Sequence, residues 1–512
     1  KICLLFPKAH RLHKYANRRH RVDRPLSPRA EWFFMTVHAP SGPLTLGSGD
    51  IPSTAQPTDL PLSLRFSWGI GTLGPVTLLY VVNFALLFFM TNLLGIGAAM
   101  AGVLIFGARI FDLAFDLGVG ALSDRTVTRW GRRRPWMFAG GLLSAAGCVM
   151  LFNVPASVAG IGRNASSVAP LVWVGLALMV YFAGYSMFNV PYLAMPAEMT
   201  ASSQERTRLM SVRVAFVALS GLVGIALANW LVAFFGGNIS AYGATALIMA
   251  AISLAAMMYS VVGTASAHAT RRTPAVADLR GAIRSVLSNR PFVVLIFAKL
   301  MLLLSLSAIT TTMYYVVVQI MQRTPGVLSL YGIANNLGIV AALPFWAWLG
   351  RRFSKQMVFA IAILAGVPLS LSWLLASSAE PIWFFCARAL LTGVAAGGSL
   401  VMGQSLLPDT MEYDFRRTGL RREGVFAAIY SFVEKASFAA GPLIVGALLS
   451  LFGYVSSKAG APPVLQSKEA LTGIYIGVAV VPAVAALVAA ASLHFYNVDE
   501  ADMRPEPRGL PS

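Results

Sequence analysis

An all-α membrane protein of twelve transmembrane helices, arranged as two pseudo-symmetric halves of six, follows from three features of the sequence. The first is composition: 57% of the 512 residues are hydrophobic and 12% charged. With a mean hydropathy of +0.68, the chain is too apolar for a water-soluble protein of this length. The second is recurrence. Beyond Phe66, apolar segments lie near 67–92, 96–122, 135–154, 169–194, 210–235, 242–264, 291–320, 326–350, 357–377, 381–406, 424–452 and 470–495. Each reaches the ~20 residues a bilayer requires. The third is charge alternation: every second connection is basic, namely Arg125 to Arg134, Arg206 to Arg213, Arg271 to Arg290, Arg351 to Lys355, and Arg416 to Arg422. The others carry at most a stray charge such as Arg163, Arg323 or Lys458.

Basic loops stay on the cytoplasmic side, so both termini are expected there, in the cytoplasmic (inner) membrane of a bacterium. The net charge of +19 is spread over these short clusters rather than one face, which marks topology and not nucleic-acid binding. Residues 1–66, rich in Arg, His, Pro, Ser and Gly, contain no spanning segment and read as a disordered tail. Lys1 is not an initiator methionine, and Met35 would serve as a start. The expected organisation is a 67–264 bundle, a 265–290 cytoplasmic linker, a 291–495 bundle and a 496–512 tail. Three cysteines, Cys3, Cys148 and Cys386, lie far apart and suggest neither a disulfide framework nor a metal site.

The stretch from Arg109 to Pro135 carries the chemistry. It sets Asp112 and Asp116 inside the second apolar span and then ends in a dense basic turn. Residues four apart share a helix face, so the two carboxylates repel unless a proton or a cation sits between them. Carboxylates at membrane depth usually face a water-filled cavity or a polar partner. The alternative is a buried structural ion pair with Arg109.

The two halves echo each other, as in transporters built from repeats. The fourth span ends Asn189-Val-Pro-Tyr-Leu-Ala-Met-Pro-Ala-Glu198, a turn with Glu205, Arg206 and Arg208 follows, and Arg213 enters the fifth span. The tenth ends Leu407-Pro-Asp409, its basic turn contains Arg416, Arg417, Arg421 and Arg422, and Lys435 lies in the eleventh. Gly350-Arg-Arg-Phe-Ser-Lys355 is a reduced copy of the Gly120 to Arg134 turn.

Four stretches together resemble the glycoside-pentoside-hexuronide:cation symporters of the major facilitator superfamily, the group of the melibiose carrier. They are Arg109-Ile-Phe-Asp-Leu-Ala-Phe-Asp116; Ser123-Asp-Arg-Thr-Val-Thr-Arg-Trp-Gly-Arg-Arg-Arg-Pro-Trp136; Asn189-Val-Pro-Tyr192 with Glu205-Arg-Thr-Arg-Leu209; and Pro408-Asp-Thr-Met-Glu-Tyr413 with Glu423-Gly424 and Lys435. The resemblance implies the major facilitator fold, coupling-cation ligands at Asp112 and Asp116, and a functional lysine at Lys435. An ammonium in mid-helix needs a partner, and the paired carboxylates of the other half can supply it. Glu434 is expected to point elsewhere. The chain departs from the melibiose pattern at Val76 and Asn189, where the carrier has acids, and at Phe115, where it has an asparagine. Fewer oxygen ligands favour a proton over sodium as the coupling ion and count against a galactoside.

Side chains that both donate and accept, with aromatic rings, are the expected lining for a sugar. The candidates are Asn189, Tyr192, Arg213, Gln404 and Tyr430, of which Asn189 and Arg213 match sugar-site positions of the carrier. Trp346, Trp348 and Trp373 read as interfacial anchors. Asp124 and Arg125 are the expected gate, with Glu198, Asp409 and Glu412 receiving arginines across the two halves, while Arg132 to Arg134 read as topology signals. No enzyme motif of the serine-hydrolase, zinc-protease or intramembrane-aspartate kind occurs in a span, and no cofactor or metal is expected. The partners are a small-molecule substrate, a coupling cation and the lipid bilayer. The expected function is cation-coupled symport of a sugar or glycoside; the alternatives are a lipid or lysolipid carrier and a non-transporting sugar sensor.

Overall fold

The computed structural model describes residues 60–159, 168–200, 202–267, 284, 286–419, 423–457 and 464–496. Twelve helices among them are long and apolar enough to cross a membrane. They are α1 (Leu62–Asn92), α2 (Ala98–Arg125), α3 (Arg134–Phe152), α4 (Val168–Met199), α5 (Gln204–Phe234) and α6 (Ile239–Gly263), then α7 (Arg290–Ile320), α8 (Val327–Arg352), α9 (Lys355–Leu375), α10 (Ile382–Thr418), α11 (Glu423–Leu451) and α12 (Lys468–Phe495). Residues 1–59 of the expected N-terminal tail, 497–512 of the C-terminal one, most of the 265–290 linker, Cys3, Arg163, Arg421, Arg422 and Lys458 lie outside the described residues, while Leu62 to Phe66, expected in the tail, are helical.

Local chemistry sets the helix ends. Ser202, Asn238, Asn289, Ser354 and Ser467 each accept a backbone N–H three residues on, satisfying donors that a helix start leaves free. Pro135 and Pro291 occupy first-turn positions of α3 and α7, where a missing N–H costs nothing. Gly419, at φ 69°, closes α10 in the left-handed conformation, which glycine adopts without steric cost. The first span starts at Leu62 rather than near residue 67. Helix α10 runs about three turns past its apolar stretch, because its last residues, Met411 to Thr418, make an amphipathic extension that hydropathy alone does not register.

Within each half, one central helix is packed to backbone contact. Gly140 of α3 lies against the backbone of Met187 and Phe188 on α4, and Gly184 returns the contact at Ser144. In the other half α10 packs chiefly on α8, where Gly338 meets the Leu390 carbonyl and Gly393 meets that of Asn335. Small residues let helices approach this closely where lipid offers no hydrophobic drive.

The two halves close on each other at the end opposite the basic turns. A Cβ on Gly102 of α2 would fall 2.6 Å from the Pro442 carbonyl oxygen of α11, and Gly446 abuts the Ala98 carbonyl. Thr91 and Tyr315 share a hydrogen bond of 2.7 Å, the Tyr454 hydroxyl donates to Asn92 at 2.8 Å, and Tyr314 donates to Asn229. Trp348 is exposed, as an interfacial anchor would be, with Arg352 over its ring. Trp346 and Trp373 are instead buried: Trp346 donates to the Val394 carbonyl, and Trp373 lies under the Arg388 guanidinium.

Candidate functional site

Helices α2 and α11 face each other across the two halves, and the charged cluster lies between them. The Lys435 ammonium sits 2.5 Å from Asp116 Oδ2 and 3.0 Å from Asp112 Oδ2. Asp112 is fully buried and accepts a hydrogen bond from Ser186 of α4 at 2.5 Å through its other oxygen. The Asp116 side chain keeps 24% of its exposure, and its Oδ1 has no described hydrogen-bond partner. The ammonium thus occupies the place where two like charges require a cation. Tyr185 flanks it, with its ring centroid 5.4 Å from Nζ.

Arg109 does not pair with these carboxylates. Its guanidinium donates to Asn83 of α1 at 2.7 Å and lies over the Phe182 ring at 4.4 Å. The alternative of a local ion pair is therefore not the one formed, which leaves both carboxylates to the lysine of the opposite half.

The five expected lining residues are not equivalent. Asn189 and Arg213 are half-buried, and Arg213 Nε is buried with no hydrogen-bond partner among the described residues. Gln404 is exposed on α10. Tyr192 is fully buried, and its hydroxyl is used up by Thr72 at 2.7 Å and by the Trp68 carbonyl at 2.9 Å. Its ring stacks on Trp68 at 4.9 Å, so it joins α4 to α1 and presents nothing to a ligand in this conformation. Tyr430 is buried with the Lys299 ammonium 3.1 Å from its ring centre.

The basic turns are ordered by ion pairs within each half. Arg133 binds Asp124 at 2.5 Å and Glu198 at 2.8 Å, and Arg132 adds a second contact to Glu198. Lys355 binds Asp409 at 2.7 Å, and Arg416 binds Glu412 four residues earlier at 2.9 Å. Arg125 is exposed. The described ion pairs of these acids each lie within one half. Arg132 to Arg134 also do more than mark topology, since Arg134 donates to the Val261 carbonyl and ties α3 to α6.

Sequence reasoning missed three participants. Ser186 and Asn83 give no signal, since single serines and asparagines in spans are common as interhelical hydrogen bonds. Lys299 was visible as a mid-span ammonium, the same signal that marked Lys435. It pairs with Glu434 Oε1 at 3.5 Å. Glu434 does point away from Asp112 and Asp116 as expected, but toward a partner of its own.

Residues 67–500 match the family model described as MFS/sugar transport protein. An uncharacterised symporter of Bacillus subtilis, YnaJ, is 30% identical over 82% of this chain and 88% of its own length. The isoprimeverose transporter of Lactiplantibacillus pentosus is 28% identical over 86% and 90%, and an Escherichia coli glucuronide carrier protein homologue 27% over 81% and 88%. Among solved structures, a bacterial homologue of the human lysosomal transporter Spinster, in an inward-facing and unoccupied conformation, superposes with TM-score 0.59 at 10% identity. It covers 85% of this chain and 95% of that one. The nucleoside transporter NupG superposes with TM-score 0.60 at 13% identity, covering 84% and 99%.

Proposed function

The chain belongs to the MFS/sugar transport protein family, a multi-pass membrane transporter of the major facilitator superfamily, and from that premise we propose that it is a cation-coupled symporter of a sugar or glycoside. The observation that carries the proposal is the triad of Asp112, Asp116 and Lys435, in which the acids come from one half and the ammonium from the other.

The triad works as an exchange. With Lys435 between the carboxylates, the two halves are tied through α2 and α11. A proton arriving at Asp116, the more accessible acid, removes one of the two attractions on the ammonium and loosens the tie. Substrate binding in the central cavity and cation binding at the acids both act on that tie, so each raises the affinity of the other by the same factor. A proton fits better than sodium: the described hydrogen bonds to the two carboxylates add only the Ser186 hydroxyl beside them, and a hard cation needs several oxygens.

The basic loops support an orientation with both termini in the cytoplasm of a bacterium and the sealed end on the outer side. The conformation is then inward-facing, with the six-helix bundles on either side of the linker rocking about a central site. Asn189, Arg213 and Gln404 are the polar candidates for the substrate; Tyr192 is left out because its hydroxyl is committed to α1. The names of the relatives, which include an isoprimeverose transporter and a glucuronide carrier homologue, support a glycoside.

The test is uptake of labelled isoprimeverose, other disaccharides and glycosides into proteoliposomes under an imposed proton or sodium gradient. Accumulation driven by the proton gradient and lost in Asp112→Asn is the expected result. Accumulation that persists in Asp112→Asn, or none by folded protein for any sugar, would reject the proposal.

A further inference from the structure

A second charged pair stands in the same span, one residue from the triad. Lys299 of α7 is 7% exposed, yet its ammonium rests on the Tyr430 ring and approaches Glu434 Oε1 at 3.5 Å. Burying an ammonium at this depth is costly unless its charge is answered. The Tyr430 ring face and one carboxylate oxygen answer it. Glu434 is different: 44% of its side chain remains exposed.

The direction of that exposure can be read from α11. Successive residues turn by about 100° around a helix. Phe426, Tyr430 and Val433 pack against Phe292 and Ile296 of α7, while Lys435 points to α2. Glu434 emerges between these two directions, beside exposed Ser431, whereas the exposed residue on the opposite side is Phe432. A part-exposed carboxylate at membrane depth faces water and not lipid. The polar strip of Ser431 and Glu434 is therefore the cavity side of α11.

We infer that Glu434, paired with Lys299 on the Tyr430 ring, is a substrate subsite that accepts hydrogen bonds from two neighbouring hydroxyls of a neutral glycoside. The inference rests on the sugar-symport reading above and adds to it where the substrate is gripped and what charge it carries. A carboxylate offers acceptors only and suits a vicinal diol, whose two O–H donors match its two oxygens. One oxygen faces Lys299, and the other has no described partner. An anionic sugar is disfavoured here, because Lys299 is covered by the ring and by Glu434, so a substrate carboxylate would meet Glu434 first. Lys299 is a positioning residue: it holds the Glu434 side chain in place without touching the substrate.

The experiment is calorimetric binding of isoprimeverose, its monodeoxy analogues and glucuronic acid to the purified full chain, alongside proton-driven uptake. Glu434→Gln is expected to weaken isoprimeverose binding roughly 10- to 100-fold, the effect of one charge-assisted hydrogen bond, with Glu434→Asp retaining part of it. In the unmodified chain, removing one hydroxyl of the bound pair should cost a similar factor, and in Glu434→Gln the same deletion should cost little more. That comparison stands even if Lys299→Met fails to fold, and Lys299→Arg should bind nearly as the unmodified chain does. Deoxy penalties that are equal with and without Glu434 would overturn the subsite while leaving symport intact. So would binding of glucuronic acid in preference to isoprimeverose. Absence of both binding and uptake for all sugars would instead reject the underlying reading and the subsite with it.

Discussion

The N-terminal half, α1 to α6, and the C-terminal half, α7 to α12, share a plan but not a charge distribution. Each ties the start of its third helix to the end of its fourth: Arg133 to Glu198 in one, Lys355 to Asp409 in the other. The first tie is a network of two arginines and two acids, the second a single part-exposed pair. The membrane-depth charges divide the other way. Two carboxylates stand on α2 with no ammonium of their own half beside them, and Lys435 stands on α11 with none of its half's acids bound to it. A site assembled from unlike halves exists only while they are in register, which is the condition a transporter needs if occupancy of the site is to report on conformation.

The sharpest way to break that comparison is to remove its shared element. Lys435→Ala should lower proton-driven uptake by at least about 100-fold, since it leaves two facing carboxylates unneutralised. Asp116→Asn should abolish accumulation but leave exchange, and the double variant should be no worse than the more damaged single one, because the groups act as a unit. Additive losses in counterflow and uptake assays would separate the two residues.

Next in size is the seam. Gly446→Leu puts a branched side chain against the Ala98 carbonyl, and overpacking of this kind costs about 1–3 kcal/mol or more. The sealed end should open, read as faster labelling of a cysteine placed at Thr91. Slower or unchanged labelling would show that the seam is not the closure.

Ser186→Ala removes the one described neutral hydrogen bond to Asp112. Coupling-cation affinity should change by roughly 10-fold, the scale of a hydrogen bond to a charged group, measured as a shift in the pH dependence of uptake; no shift would detach α4 from the site. The smallest effects belong to the basic turns. Glu198→Gln should cost about 1–3 kcal/mol in thermal stability because it removes the acid that Arg132 and Arg133 share, whereas Lys355→Gln, at a part-exposed pair, should cost about 0–1 kcal/mol. Equal losses would erase the asymmetry between the turns.

Much of this architecture was legible in the chain because the bilayer imposes it. Twelve apolar segments must be helices of spanning length, and charged residues are rare enough within them that Asp112, Asp116 and Lys435 stand out, together with Arg109, Arg213, Lys299, Arg388 and Glu434. What escaped notice has physical reasons. The far end of α10 is amphipathic and so does not register as apolar. The commitment of Tyr192 depends on Trp68, over a hundred residues away, and on a stack that no local pattern announces. Lys299 carried the same signal as Lys435, but its partner was Glu434, whose meaning changes once α7 lies beside it.

Three π segments, Leu222–Leu227 in α5, Val316–Ile320 in α7 and Ile476–Val480 in α12, bear on how the chain tolerates changes of length. A π turn holds one residue more than an α turn, so these helices have each absorbed an extra residue without rotating the faces on either side. Deleting one residue within Val316–Ile320 should return α7 to regular geometry and keep the cluster of Tyr314 and Tyr315 in place. The same deletion three turns earlier would swing every later side chain by about 100°. The wide turns are where this protein can be shortened.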